Sequence, residues 1–393
     1  MKCVSALSTL RDTAAALDEV VSRLALEIDG SPTDLAVGFA SPHHAEALGP
    51  LSAVLRSRGL ARHVLGCTGE TIIGDGVEVE GAPALSVWAA RLPGVLVELR
   101  RITFDEGELK GWDLDAPAPA RSEPRPTLVL LGDPFSFPVD HFLKRLRESD
   151  PGVRIVGGMA SGSQAPRGNS LVIDDEVFDD GAVAVALSGR VGLRTVVSQG
   201  CRPAGRTMIV TRAEGNIIRD LGRRPVLEVL QEMFDELPPG DQTLAQEGLH
   251  IGRVINEYQE TFRRGDFLIR NVLGADDEGG LAITDVIKVG QTVQFQVRDA
   301  ASAHADLLAL LETERSTRPA AAVKGALLFS CNGRGTRLFA GPNHDVGLVR
   351  RVFGPIPVTG FFAMGEIGPV GGQNFVHGYT ASLVLFEEPP ASG

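Results

Sequence analysis

Cysteine is scarce in this chain of 393 residues: Cys3, Cys67, Cys201 and Cys331 are widely scattered, and no two form a CxxC pair. That spacing excludes a disulfide framework and a zinc knuckle and suits reduced thiols in a cytosol. Basic charge is also short, with 38 Lys and Arg against 50 Asp and Glu and a formal net charge of −12. A polyanion is repelled on average, so nucleic acid is not an expected partner, and long-range steering favours cations or zwitterions. Long apolar runs are missing. The candidates at 182–187 and 128–131 have strand length, well below the ~20 residues that cross a bilayer as a helix. Arg11 and Asp12 interrupt the place where the apolar core of a signal peptide would lie, and the expected location is cytoplasmic. Catalytic signatures are missing as well. The glycines at 157–162 lack the Lys-Ser/Thr of a phosphate loop, and 365–372 contains Pro369 and leads to a strand rather than a long helix. Neither HExxH, GxSxG nor an EF-hand loop occurs. A conventional metal-, nucleotide- or nucleic-acid-dependent enzyme is therefore not expected, nor is a cofactor or structural metal.

What is present is the balance of a folded protein, 43 % apolar and 22 % charged residues. At roughly 150 residues per domain, the length implies two domains. Apolar positions at 14, 17, 21, 24 and 28 recur at helical spacing, with Asp12 as N-cap and Gly30 as stop. A buried strand follows at 34–40.

From that strand onward one plan appears three times. In the first copy, strand 34–40 leads through a helix near 45–58 to a strand at 63–65, the turn Gly66-Cys-Thr-Gly-Glu70, a Gly-rich hairpin and strand 84–90. In the second, strand 127–132 leads to a helix near 140–148, strand 153–156, the turn Gly157-Gly-Met-Ala-Ser-Gly162, a hairpin and strand 182–188. In the third, strand 326–330 leads through Cys331-Asn-Gly-Arg-Gly335 to a helix near 345–353, strand 356–359, the turn Gly360-Phe-Phe-Ala-Met-Gly-Glu366, a hairpin and strand 381–386. The pair Gly69-Glu70 is matched with Gly365-Glu366. Residues 206–297 read instead as alternating strands around turns such as Ala275-Asp-Asp-Glu-Gly-Gly280, which implies antiparallel hairpins. The expected fold is α/β to α+β: two domains with repeated strand-helix-strand-hairpin units forming mixed sheets flanked by helices. The division falls at 1–200 and 201–386, with a flexible tail at 387–393 and a Pro- and Ala-rich linker at 115–126.

A right-handed strand-helix-strand crossover puts both strands in one sheet, so their carboxyl-end loops share an edge where ligands bind. This brings 331–335 beside 360–368, and 41–44 beside 66–74. Arg334 is the strong positive charge of its loop and suits a ligand carboxylate. Glu366, or Glu70 in the first copy, suits an ammonium; Asn332, Phe361 and Met364 belong to the same loops. Together these imply a zwitterion of amino-acid size. A dissociation constant of ~1 μM asks about −0.9 kcal/mol from each of some nine heavy atoms, inside the ceiling for tiny ligands. The alternatives are that Arg334 and Glu366 pair with each other or sit in solvent. Cys331, ending a strand beside Arg334, reads either as a reactive thiol or as a small core residue, and Cys67 carries the same two readings. None of the histidines has an obvious partner in the sequence.

At these residues the chain resembles the FIST family, whose amino- and carboxyl-terminal domains occur in bacterial sensory proteins and, fused to an F-box, in eukaryotic ones. The carriers are Leu65-Gly-Cys-Thr-Gly-Glu70, Val156-Gly-Gly-Met-Ala-Ser-Gly162, Asp266-Phe-Leu-Ile-Arg-Asn-Val-Leu-Gly274, Gly290-Gln-Thr-Val-Gln-Phe-Gln-Val-Arg-Asp299, Phe329-Ser-Cys-Asn-Gly-Arg334 and Gly360-Phe-Phe-Ala-Met-Gly-Glu-Ile-Gly368. The resemblance implies a sensory role in binding small molecules such as amino acids. It supplies no catalytic activity and leaves the output to a separate signalling partner. A cysteine-dependent hydrolase or transferase and a protein-interaction scaffold are the alternatives.

Overall fold

The structure, a computed structural model, describes residues 1–112, 125–190, 192–259, 261–262, 265–317 and 323–388. The expected linker at 115–126 lies outside them except for its last two residues, as does the expected tail beyond Glu388.

Two compact units form. The larger combines Met1–Val197, Leu308–Pro369 and Gln373–Gly393; the smaller takes Ser198–Leu307 with Val370–Gly372. The chain is therefore not parted once near residue 200, because the third copy returns to build sheets with the first two.

In the larger unit the first helix, Thr13–Glu27, starts where Asp12 accepts the Ala15 N–H at 2.8 Å and buries Ala16, Val20, Val21 and Leu24. Each copy then supplies a parallel strand pair and an antiparallel third strand. Thr33–Ala40 runs parallel to Ala61–Thr68 and antiparallel to Leu85–Arg91. Thr127–Gly132 does the same with Arg154–Met159 and Ala182–Gly189, and Val323–Cys331 with Val358–Ala363 and Ala381–Glu387. The crossover logic holds in all three, since buried apolar strands flanking an amphipathic helix fold back in parallel.

The hairpins do not stay with the copy that encodes them. Ile72–Gly74 and Val77–Val79, from the first copy, extend the third sheet by pairing with Val358–Ala363. Leu171–Ile173 and Glu176–Phe178, from the second, pair onto Ala61–Thr68 of the first. Glu366–Val370 and Gln373–His377, from the third, extend the second sheet beside Arg154–Met159. The exchange is cyclic, and all three sheets share one six-strand order, to which the second adds the edge strand Glu108–Lys110.

A glycine recurs at one place in each parallel pair: Gly66 opposite Gly38, Gly157 opposite Leu130, Gly360 opposite Leu328. A Cβ there would come within 2.5, 1.9 and 1.7 Å of the facing carbonyl oxygen. These glycines serve close strand approach rather than anion binding. They also set the alignment of the copies: counting from them, Glu70 corresponds to Ser161 and Met364, so the match of Glu70 with Glu366 is displaced by two residues. Side chains from all three sheets, among them Phe39, Leu131, Val156, Phe329 and Phe361, fill one core. Phe361 lies 5.0 Å from Phe39 and 5.8 Å from Phe329, ring centre to ring centre.

The smaller unit is antiparallel, as its alternating strands imply. His250–Val254 pairs with Phe267–Ala275 and Thr292–Arg298, and Met208–Glu214 with Ile217–Leu221. Val210, Ile218, Ile251 and Phe295 lie in its core, with the helix Val226–Glu236 adding Val229 and Met233.

Candidate ligand site at the third loop

Strand Val323–Cys331 ends level with Ala363 of its parallel neighbour, and the Asn332 N–H donates to the Ala363 carbonyl at 3.1 Å. The chain turns at once, with the Arg334 N–H donating to the Cys331 carbonyl at 2.9 Å. The ends of all three copies meet here. Ser161 N–H donates to the Thr68 carbonyl at 3.2 Å, Met364 N–H to Met159 at 3.0 Å, and Phe362 N–H to Thr71 at 2.9 Å. Within a copy the two loops share an edge, as the crossover rule requires; the meeting of the three copies is a feature of the structure beyond it.

The charge expected at the centre of the site is not open to a ligand. Arg334 is fully buried, and its Nε and Nη2 donate to the two Asp345 oxygens at 2.6 and 2.7 Å. Asp345, in the first turn of helix His344–Phe353, also accepts from Ser330 Oγ at 2.7 Å and lies 2.9 Å from His344 Nδ1. Burial alone would raise its carboxyl, but the guanidinium and these hydrogen bonds hold it well below the usual range. Burial likewise works against the Arg334 charge, and Asp345, then Cys331 and Glu366, keep it cationic. Arg334 is thus not the open carboxylate anchor; its bidentate partner is already within the protein. Glu366 is also fully buried and accepts the Thr380 N–H at 3.0 Å, so it stands beneath the loop rather than facing a hollow.

A second carboxylate closes the base. Glu78, on the exchanged hairpin, accepts the Val346 N–H at 2.9 Å, and its own N–H donates to Asn343 Oδ1 at 2.6 Å. A residue 268 positions away in sequence thereby caps the third copy's helix. Burial first, then the nearby Asp345 charge, push the Glu78 carboxyl up to about 8.

The accessible cation is Arg337, which the sequence reading missed by ending the loop at Gly335. Its guanidinium, 58 % exposed, pairs with both Glu70 oxygens, and Nη1 donates to the Asn332 carbonyl at 2.7 Å. Its signal was the three-residue step from Arg334 to Arg337, which continues the same turn. Beside it, Glu80 accepts from Thr336 N–H at 3.0 Å and Oγ1 at 2.6 Å. The rim therefore joins the third copy's loop to the first copy's turn through two carboxylates.

Of the residues singled out from the sequence, Cys331, Asn332 and Glu70 sit half-buried at this rim, whereas the half-buried Met364 packs against the second copy's core. Among the described residues, the buried Asn332 Oδ1 accepts no hydrogen bond. Cys331 Sγ lies 3.4 Å from the Gly333 N and within electrostatic reach of Arg334 and Arg337. Phe361 and Cys67 are instead core residues, and burial pushes the Cys67 thiol well up. The histidines do have partners: His44 is buried between Thr13 Oγ1 and the Leu10 carbonyl, each at 2.9 Å, and His344 stacks on Phe339. Among the described residues, no three His, Cys, Asp or Glu side chains gather as metal ligands would.

The FIST N domain model matches residues 34–224 and the FIST C domain model residues 227–369, and the chain belongs to the FIST family. FIST domains are associated with sensory signal transduction. The chain is similar to the uncharacterized protein Rv0628c of Mycobacterium tuberculosis, 39 % identical over 383 residues, which are 97 % of this chain and 98 % of the relative. It is 40 % identical over 382 residues to the uncharacterized protein Mb0898c of Mycobacterium bovis, covering 96 % and 97 % of the two chains. No helix among the described residues is long and apolar enough to cross a membrane.

Proposed function

We propose that this protein is a cytoplasmic receptor for an amino acid or related small carboxylate, bound at the Cys331–Arg337 loop and signalling through a separate partner. The observation that carries the reading is the Arg337–Glu70 bridge, which spans two copies of the repeat and also holds the backbone carbonyl of Asn332, a residue whose buried side-chain oxygen accepts no hydrogen bond among the described residues. A ligand carboxylate competes with Glu70 for the exposed guanidinium. Glu70 is then released toward the ligand ammonium, and Asn332 Oδ1 takes a further N–H. Arg334, Asp345 and Glu366 hold the loop from below. Opening the bridge loosens the link between the third loop and the first turn, a change a partner protein can read.

Thermal-shift measurement with amino acids and small carboxylates tests this. A ligand at a hundredfold its dissociation constant adds about 2.7 kcal/mol, and Arg337→Ala abolishes the gain. A broad set with no stabilising member, or a gain that survives Arg337→Ala, overturns the reading.

A second reading, a thiol-dependent hydrolase or transferase, draws on Cys331 alone, whose sulfur faces a backbone N–H and two guanidiniums. Alkylation against pH decides it: reaction confined to above about pH 8, as for an ordinary thiol, removes it.

A further inference from the structure

Elsewhere in the larger unit a hollow of about 250 Å³ lies beside the Asp75-Gly76 turn of the exchanged hairpin, walled by Arg23, Glu27, Arg350, Pro355 and Pro357. We propose that it is a second ligand site, independent of the loop site, taking a small zwitterion with an aliphatic body. Two of its four charges satisfy each other. Arg23 Nη2 donates to Asp75 Oδ2 at 2.5 Å and Nη1 to the Leu7 carbonyl at 2.7 Å, while Ser5 Oγ donates to Asp75 Oδ1 at 3.2 Å.

The other two are left over. Arg350 makes no ion pair among the described residues, and its hydrogen bond is a long one, 3.3 Å, to the Asp75 backbone carbonyl. It lies so close over Gly76, where φ is 83°, that a Cβ would stand 1.9 Å from its Nη1. The turn is thus shaped to admit the guanidinium without fixing its outer edge. Glu27 is the last residue of helix Thr13–Glu27; Lys2 Nζ donates to its backbone carbonyl at 2.7 Å, while its carboxylate makes no hydrogen bond or ion pair among the described residues. A negative charge at the negative end of a helix is unfavourable and is relieved by a cation.

The net charge of the wall is zero, which decides the ligand class. A phosphate or dicarboxylate meets Asp75 and Glu27, and a simple amine meets two guanidiniums. A molecule with one carboxylate for Arg350 and one ammonium for Glu27 meets neither penalty. Pro355 and Pro357, with φ locked, give the apolar side a rigid face. The volume is roughly the share of eight waters, which matches a ligand of about eight heavy atoms.

L-valine is the probe, with isovalerate and isobutylamine as analogues that lack one charge each, titrated calorimetrically into the full chain. We expect saturable L-valine binding below about 10 mM, with each analogue at least ~10-fold weaker. Arg350→Gln and Glu27→Gln, both exposed and therefore compatible with folding, each weaken valine binding by at least ~10-fold. Arg337→Ala leaves it unchanged. Absence of binding, isovalerate binding as well as valine, or loss with Arg337→Ala but not with Arg350→Gln each overturns the proposal. The last of these would support the loop site instead.

Discussion

The three copies of the repeat place a loop at the same edge of the same sheet plan and fill it with three different chemistries. In the first, His44 is buried between a hydroxyl and a carbonyl. In the second, Asp133 is fully buried but satisfied by neutral donors: Asn169 Nδ2 at 3.1 Å, Ser136 Oγ at 2.6 Å and the Phe135 N–H at 3.1 Å. In the third, Asp345 is buried against a buried guanidinium. A fold that is stable with neutral hydrogen bonds at two loops does not need an ion pair at the third. A buried ion pair is in any case weak evidence for stability. The difference points to the third loop as the specialised one.

The sharpest way to break this comparison is to remove the buried acid from the second and third loops in turn. Asp345→Ala strands a buried guanidinium and should destabilise by about 3–5 kcal/mol. Asp133→Ala leaves only neutral donors unmet and should cost about 1–3 kcal/mol. Equal losses in urea unfolding would show the two loops to be equivalent.

A pH titration comes next. The Glu78 carboxyl, raised from 4.5 to about 8 in the folded state, keeps its proton where the unfolded chain has lost it. Its contribution is complete below about pH 4.5 and disappears as pH rises through about 8, at a slope of up to ~1.4 kcal/mol per pH unit. Glu78→Gln should flatten that slope, and an unchanged profile would assign it to other groups. In the smaller unit the sign is opposite. Burial, then the Arg298 charge, lower His250 from 6.5 to about 4, so its share of stability is present above pH 6.5 and is lost on acidification toward pH 4. His250→Gln should remove that acid-side loss.

Thiol labelling separates the first and third copies by rate. Cys331, half-buried beside two guanidiniums, should alkylate at least ~10-fold faster in the native protein than core Cys67. The smallest effect is expected at the rim, where Arg337→Ala removes a half-exposed pair and should change stability by under about 1 kcal/mol. A larger loss would make that bridge structural.

Much of the frame was legible in the sequence. The strands around 34–40, 127–132 and 326–330 are apolar runs closed by turn residues, the Asp12 cap is used, and the two loops of a copy do share an edge. What was not legible has a common cause, because each missing partner is remote in sequence. Nothing local tells Arg334 that Asp345 lies one helix start away, or tells Glu78 that it caps a helix 268 residues on. A hairpin's internal pairing is written in its own turn, as at Asp75-Gly76, but the strand that receives its edge is not. The Glu70 and Glu366 match failed for a plainer reason, since glycines recur on both sides of each strand end and only the carbonyl approach at Gly66, Gly157 and Gly360 fixes the count.

The cyclic trade of hairpins also constrains how the molecule is made. The Ile72–Gly74 strand leaves the ribosome long before its receiving strand, Val358–Ala363. At about 5–20 residues per second, its edge waits roughly 15–60 s for a mate. Until then the newborn chain carries an open β-edge, so a truncated product ending near residue 200 should be prone to aggregate and call on chaperones, while the full-length polypeptide closes the ring on itself.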